Sequence, residues 1–273
     1  VESHTAVSSI KTPASKPSRL EIIGLTDVPF VKPGDNLTGI ILDALKLNDL
    51  ELVNGDIVVI AQKIISKAED RCFNINDVVP GTEAINLAEE VDKDPRLVEL
   101  ILSETRSIAR KRPGLIIVES KTGLVHANAG IDQSNIEQSD TDPRALLLPV
   151  DADRSAEAIR LEIKKLIQVD VGVIINDSMG RAWRRGTVGH TIGCSGVIAV
   201  SDQIGDLDLN GRVLQGTEVA LADEIAAAAS FVMGQADEGR PVVLVRGAGH
   251  MVGGSGDFKA LLREDNTDLF KDW

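Results

Sequence analysis

The chain has 273 residues, 43% of them hydrophobic and 26% charged, with a formal net charge of −13 at pH 7. This length supports a large core without disulfides, and the negative balance lacks the basic footprint expected of a nucleic-acid binder. The two cysteines, Cys72 and Cys194, show no paired spacing, and no apolar run approaches the ~20 residues needed to cross a bilayer, so the expectation is a reduced, cytoplasmic protein without membrane contact in which both cysteines are packing residues.

Residues 1–19 are rich in Ser, Thr and Pro and read as a flexible tail, leaving residues 20–273 as the folded domain. GDIVVIAQKIISKA (55–68) predicts a buried β-branched strand running into a second short element. DPRLVELILSETRSIAR (94–110) predicts a helix capped by Asp94 with Pro95 in its first turn. PGLIIVES and GLVHANA predict a hairpin turning around Lys121, Thr122 and Gly123, which puts His126 in a strand. Residues 153–168 predict an amphipathic helix and 169–178 an apolar strand ending in a polar pair. An Ala-rich helix is expected over 217–234 with Thr217 as its cap, and a buried strand over 241–247. Strands and helices mix without strict βαβ alternation. The expected fold is therefore α+β, with mixed sheets, packed helices and two interwoven subdomains.

Three stretches could carry chemistry. In VGVIINDSMGRAWRRG (171–186) an apolar strand leads into Asp177 and Ser178, then Arg181, Arg184 and Arg185. Asp177 and Ser178 offer hard oxygens to a divalent cation, and the arginines can grip phosphate or carboxylate oxygens. A strand-terminating turn followed by a solvated basic patch is the alternative. NAGIDQSN (128–135) presents Asp132 and Asn135 in a Gly-containing loop, either a ligand pair or a plain turn. VMGQADEGRP (232–241) sets Gln235 between Gly234 and Gly239, either at a ligand or at an ordinary helix stop. Lys67 is a phosphate contact or a solvated surface charge. No GxxxxGK[ST] occurs, so the chain has no P-loop, and HExxH and CxxC are absent too. Carboxylates without a His or Cys set favour Mg²⁺ or Mn²⁺ over structural zinc.

GDIVVIAQKIISKAEDR, RPGLIIVES, HANAGIDQSN, LLLPVDAD, VGVIINDSMGRAWRRGTVGHTIGCSG, DLNGR and ADEIAAAASFVMGQADEGRPVVLVRG occur in this order. Together they resemble the coenzyme F420-0:L-glutamate ligase family over roughly residues 20 to 250. The resemblance implies a GTP-dependent ligase adding glutamate to the lactyl carboxylate of a deazaflavin precursor (F420-0 or a relative), through an acyl phosphate. It implies two divalent cations, Mg²⁺ or Mn²⁺, held by Asp132, Asp177, Ser178 and Gln235, with K⁺ a further candidate ion. It also implies nucleotide contacts at Val28, Pro29, Phe30, Val31, Gln62, Lys63, Lys67 and Asn135, and over Met233, Gly234, Gln235, Ala236, Asp237, Glu238, Gly239 and Arg240. Asp177, Arg181 and Arg184 take the catalytic roles, and the expected assembly is a homodimer. Gln235 stands where some members carry an acid, and TDVPF replaces the commoner glycine-leucine-proline start.

Overall fold

The computed structural model describes residues 18–271, so the expected tail lies, except for its last two residues, outside the described residues. The fold opens with β1 (Glu21–Gly24), α1 (Leu37–Leu47), β2 (Ile57–Ala61) and α2 (Gln62–Ala68). An inserted part follows: β3 (Cys72–Asn74), α3 (Thr82–Val91), α4 (Pro95–Glu104), β4 (Thr105–Arg112), β5 (Leu115–Ser120), β6 (Val125–Ala127) and β7 (Arg144–Leu146). The chain then returns through α5 (Ala152–Ile167), β8 (Gly172–Arg181), β9 (Arg184–Ser195), β10 (Ser201–Asp202), β11 (Glu218–Val219), α6 (Leu221–Met233) and β12 (Val242–Arg246).

The central sheet has the order β1-β12-β2-β8-β9. Only β2 and β8 run parallel; the other neighbours are antiparallel. Its middle strands are apolar on both faces because helices cover both. Val58, Ile60, Val173, Ile175, Val242 and Leu244 pack with α1, α2 and α5. Ile57, Val59, Ile174, Val243 and Val245 pack with α6 on the other face. The inserted part builds its own core from α3, α4 and β5, over the sheet β4-β5-β6. The architecture is α+β with mixed sheets. No helix among the described residues is long and apolar enough to cross a membrane.

Several boundaries differ from the sequence reading. The helix expected over 94–110 does start on the Asp94 side chain, which accepts from Arg96 N, but it ends at Glu104. From Thr105 the chain becomes β4 and pairs with β5, so a cross-strand ladder wins over a helical period that runs on through Ile108. The helix expected over 217–234 begins at Leu221, and Thr217 does not cap it. Glu218–Val219 instead pair with Ser201–Asp202, and the Thr217 carbonyl accepts from Gln203 N. The strand expected over 169–178 starts at Gly172 and runs on to Arg181, because β9 pairs with it along its whole length. The hairpin around 121–123 is present as β5 and β6. Cys194 is buried and Cys72 half-buried, both free; burial pushes the Cys194 thiol up to about 12.

Candidate active site

Parallel pairing sets Ala61 beside Asn176, where β2 ends and its ladder with β8 stops. α2 leaves β2 directly at Gln62, while β8 continues into Asp177 and Ser178. A cavity of about 390 Å³ lies at this edge, lined by Val28–Val31, Ala61–Ile64, Lys67, Asn135, Asn176–Ser178 and Met233–Pro241. Five segments distant in sequence therefore meet around one space. Every residue expected at the nucleotide lines it, as do Asp177, Ser178 and Gln235. Asp132 reaches it through Lys63, whose ammonium donates to Asp132 Oδ2. Phe30 is 93% exposed although it lines the cavity, leaving its ring face open.

Side-chain positions follow from local structure. Lys63 and Lys67 are four residues apart on α2 and so share a helix face. Gln62 is buried and accepts from Ser66 Oγ at 2.9 Å, a bond within α2 that satisfies both buried side chains. Lys67 Nζ donates to the Asn135 carbonyl at 2.7 Å. Asn135 itself has a positive φ of 55°, and its Nδ2 donates to the Ala236 carbonyl at 3.2 Å. These two bonds join α2, the 128–135 loop and the 234–240 loop. Gly234 ends α6 with φ of 77°, and a Cβ there would sit 2.0 Å from the Glu238 carboxyl carbon. Only glycine serves both the turn and the close approach. Glu238 Oε2 accepts from Ala236 N at 2.9 Å, and that backbone bond, first among several, holds its carboxyl below the usual range.

The electrostatics centre on two carboxylates and two ammonium groups. Burial pushes Asp177 up to about 7, against the pull of Lys63 and a hydrogen bond from Ser178 N, and the charge of Asp132 adds to the rise. Burial also works to raise Asp132, but the hydrogen bonds from Lys63 and Ser134 outweigh it and hold it below the ordinary value. Lys67 is lowered by burial first and by the charge of Lys63 second. Asp132 has both oxygens engaged: Oδ1 accepts from Ser134 N at 2.7 Å, and Oδ2 from Lys63 and from Ser134 Oγ at 3.0 Å.

Among the described residues no group of three or more His, Cys, Asp or Glu could by itself hold a metal ion. A cation here would combine Asp132 and Asp177 with the neutral oxygens of Ser178 and Gln235 and with ligand oxygens, a hard set suited to Mg²⁺ or Mn²⁺. Two wall residues carry buried polar atoms without a protein partner, Asn176 Oδ1 and Arg240 Nε. Both atoms are closed to solvent, and Asn176 Oδ1 packs beside Gly189 under α6, so the fit to a divalent cation rests on the hard donor set alone.

The arginines sit differently. Arg181, Arg184 and Arg185 occupy the hairpin joining β8 and β9 and do not line the cavity. Arg184 and Arg185 are exposed, and Trp183 at the tip is 82% exposed with its ring 5.1 Å from that of Phe270. Sequence reasoning also passed over Asn176 and Ser230. Asn176 is buried beside Asp177, and its Nδ2 donates to Met233 Sδ at 3.5 Å. Ser230 Oγ accepts from Gln235 Nε2 at 3.2 Å, which turns the Gln235 amide. The available signal was a lone serine on the buried alanine face of α6, five residues before Gln235. His126 is buried, carries no hydrogen bond on either ring nitrogen and is lowered by burial to about 4, so it is a neutral core residue.

Residues 26–247 match the family model described as F420-0:Gamma-glutamyl ligase. A curated protein of Methanothermobacter thermautotrophicus, coenzyme F420:L-glutamate ligase, is 43% identical over 254 residues, covering 92% of this chain and 99% of the relative. One of the same name from Methanocaldococcus jannaschii is 44% identical over 253 residues, 93% of this chain and 97% of the relative. Another from Archaeoglobus fulgidus is 38% identical over 253 residues, again covering 93% and 97%.

Proposed function

The chain belongs to the F420-0:gamma-glutamyl ligase family, and on that premise we propose that it joins L-glutamate to the lactyl carboxylate of F420-0 at the expense of GTP. Its enzyme class is acid–amino-acid ligase, forming a carbon–nitrogen bond. The observation that carries the nucleotide-dependent reading is the convergence of Asp177, Lys63, Lys67, Asn135 and the 233–240 loop on one cavity.

A carboxylate does not condense with an amine unaided, so one oxygen must become a leaving group. In the route proposed, a precursor carboxylate oxygen attacks the γ-phosphorus of GTP and GDP leaves. The glutamate amine then attacks the acyl phosphate carbon, phosphate departs, and the amine loses a proton as the amide forms. Phosphoryl transfer needs alignment and charge neutralisation more than a covalent protein group. Lys63 and Lys67 supply two cationic donors from one helix face to the polyphosphate. The loop from Gly234 to Arg240 is braced by Asn135 and Glu238, so it needs little ordering to close over the nucleotide. Asp132, Asp177, Ser178 and Gln235 would hold the cations, which when bound would neutralise phosphate oxygens as the γ-phosphoryl moves. Arg181 and Arg184, on the projecting hairpin, are then suited to the anionic groups of the precursor or glutamate that extend out of the cavity. A homodimer and K⁺ dependence belong to the same reading.

Mass spectrometry tests it directly. Protein incubated with F420-0, GTP, glutamate and Mn²⁺ should convert the precursor to species heavier by whole glutamyl units, with GDP formed in step. Phosphate release from GTP at full rate without precursor or glutamate, and no mass change, would refute the ligase reading in favour of a phosphohydrolase.

A further inference from the structure

Lys63, which lines the cavity, holds Asp132 Oδ2. Asp132 Oδ1 accepts from Ser134 N and Oδ2 from Ser134 Oγ, and Oδ2 is the oxygen that also receives the Lys63 ammonium. Lys63 Nζ also lies 3.3 Å from Ser134 Oγ, and its charge acts on Asp177 across the same space. An ammonium that serves two carboxylates occupies the ground a divalent cation would take. The two cannot share one oxygen at contact distance, since like charges that close repel strongly in a half-buried setting. Lys67, the other ammonium on this helix face, feels the charge of Lys63 as well. When Lys63 leaves Asp132, the cavity between these carboxylates and the 233–240 loop is the place where a new anionic partner can meet it.

We propose that Lys63 is an exchangeable internal cation. It guards Asp132 and Asp177 until a nucleoside triphosphate draws it away, so that divalent metal loads together with the nucleotide rather than before it. The inference rests on the metal reading of Asp132 and Asp177 and adds an order of binding to it. Without nucleotide, a metal ion must displace Lys63 into a cavity that holds the carboxyl groups of Asp177, Asp237 and Glu238 but no phosphate to receive it. With nucleotide present, Lys63 moves to phosphate oxygens and Asp132 becomes free. Metal and nucleotide then bind with positive coupling, and thermodynamic reciprocity makes the metal raise nucleotide affinity by the same factor.

The test is Mn²⁺ binding to metal-stripped protein, read from the electron paramagnetic resonance signal of free Mn²⁺, with and without a GTP analogue carrying a β,γ-imido bridge. Wild type should bind Mn²⁺ weakly alone and about tenfold more tightly with the analogue, within the usual range of such couplings. Lys63→Met should bind Mn²⁺ alone about tenfold more tightly than wild type, with the coupling lost. Lys63→Gln serves as a second neutral variant, and Lys63→Arg, which keeps the charge, should stay near the wild-type value. A Lys that only contacts phosphate, or only braces the loop, would leave the nucleotide-free affinity of Lys63→Met unchanged or weaker, and either result overturns the proposal. Asp132→Asn separates the two levels. If it binds Mn²⁺ with the analogue as tightly as wild type, the metal reading itself is refuted and the exchange with it. If it binds poorly while Lys63→Met shows no gain alone, only the exchange is refuted.

Discussion

Replacing Asp177 by Asn should make the metal-free protein more stable while abolishing ligation. Burial raises the Asp177 carboxyl to about 7 from 3.8, so above neutral pH the folded state carries a charge that its surroundings oppose. The interval corresponds to about 4 kcal/mol at about 1.4 kcal/mol per pH unit, and partial access to water screens this to about 2–3 kcal/mol. Below pH 3.8 the carboxyl is protonated in folded and unfolded chains alike and the cost is absent. The cost grows as pH rises through the interval and is complete above about 7. Asn is nearly isosteric and uncharged, so Asp177→Asn should gain about 2–3 kcal/mol over wild type at pH 8.5 and much less at pH 4.5. Guanidinium unfolding in the presence of a chelator measures both. Adding Mn²⁺ with a GTP analogue should then stabilise wild type and leave the variant nearly unchanged. An equal gain at both pH values, or none at pH 8.5, would refute the electrostatic account. Near-normal turnover of the variant at limiting Mn²⁺ would remove Asp177 from the metal site.

Lys67→Ala should weaken GTP binding about ten- to a hundredfold, the worth of one charge-assisted hydrogen bond, and an unchanged calorimetric Kd would return Lys67 to the surface-charge reading. Gly189→Ala should cost about 3 kcal/mol or more, because the added Cβ would sit 2.5 Å from Ala226 O, Asn176 Oδ1 and Ser230 Cβ; a variant as stable as wild type in urea would show that α6 can shift away from β9. Arg246→Met should lose about 3–5 kcal/mol of stability, since Asp56, 1% exposed, keeps its charge but loses donors at 2.9 and 2.7 Å. The folded fraction should keep its kcat, because Asp56 lies just before the start of β2 and the cavity at its other end.

What could be read from the sequence was local. The strand ending at Asp177 and Ser178, the turn chemistry of 128–135 and the glycine stop at Gly234 announce themselves through neighbours a few residues apart. So do the Asp94 cap and the 121–123 turn. The misread stretches are those where a pairing strand outweighs the local pattern. Residues 105–110 carry a helical period but meet β5, and Thr217 looks like a cap but hands its carbonyl to Gln203. Distance in the chain hid the contact between Lys63 and Asp132, 69 residues apart. It also hid the buried line from Asn176 to Ser230 and Gln235, in which polar side chains on a helix and a strand acquire meaning only once α6 packs on β8 and β9.

The pairing of β1 with β12 joins Glu21 to Arg246 and Gly24 to Val243, the longest-range ladder of the central sheet. The two lips of the cavity, 28–31 and 233–241, flank this ladder in the chain. During synthesis the first lip emerges early and waits for most of the polypeptide before its counterpart exists. Closing so long a loop is entropically demanding and slows folding. The pocket is thus among the late regions to mature, and a chain interrupted before β12 retains a hydrophobic β2 with one flank uncovered. Such a nascent chain exposes apolar surface of the kind that chaperones bind, so the cavity forms only after β12 has been delivered to the sheet.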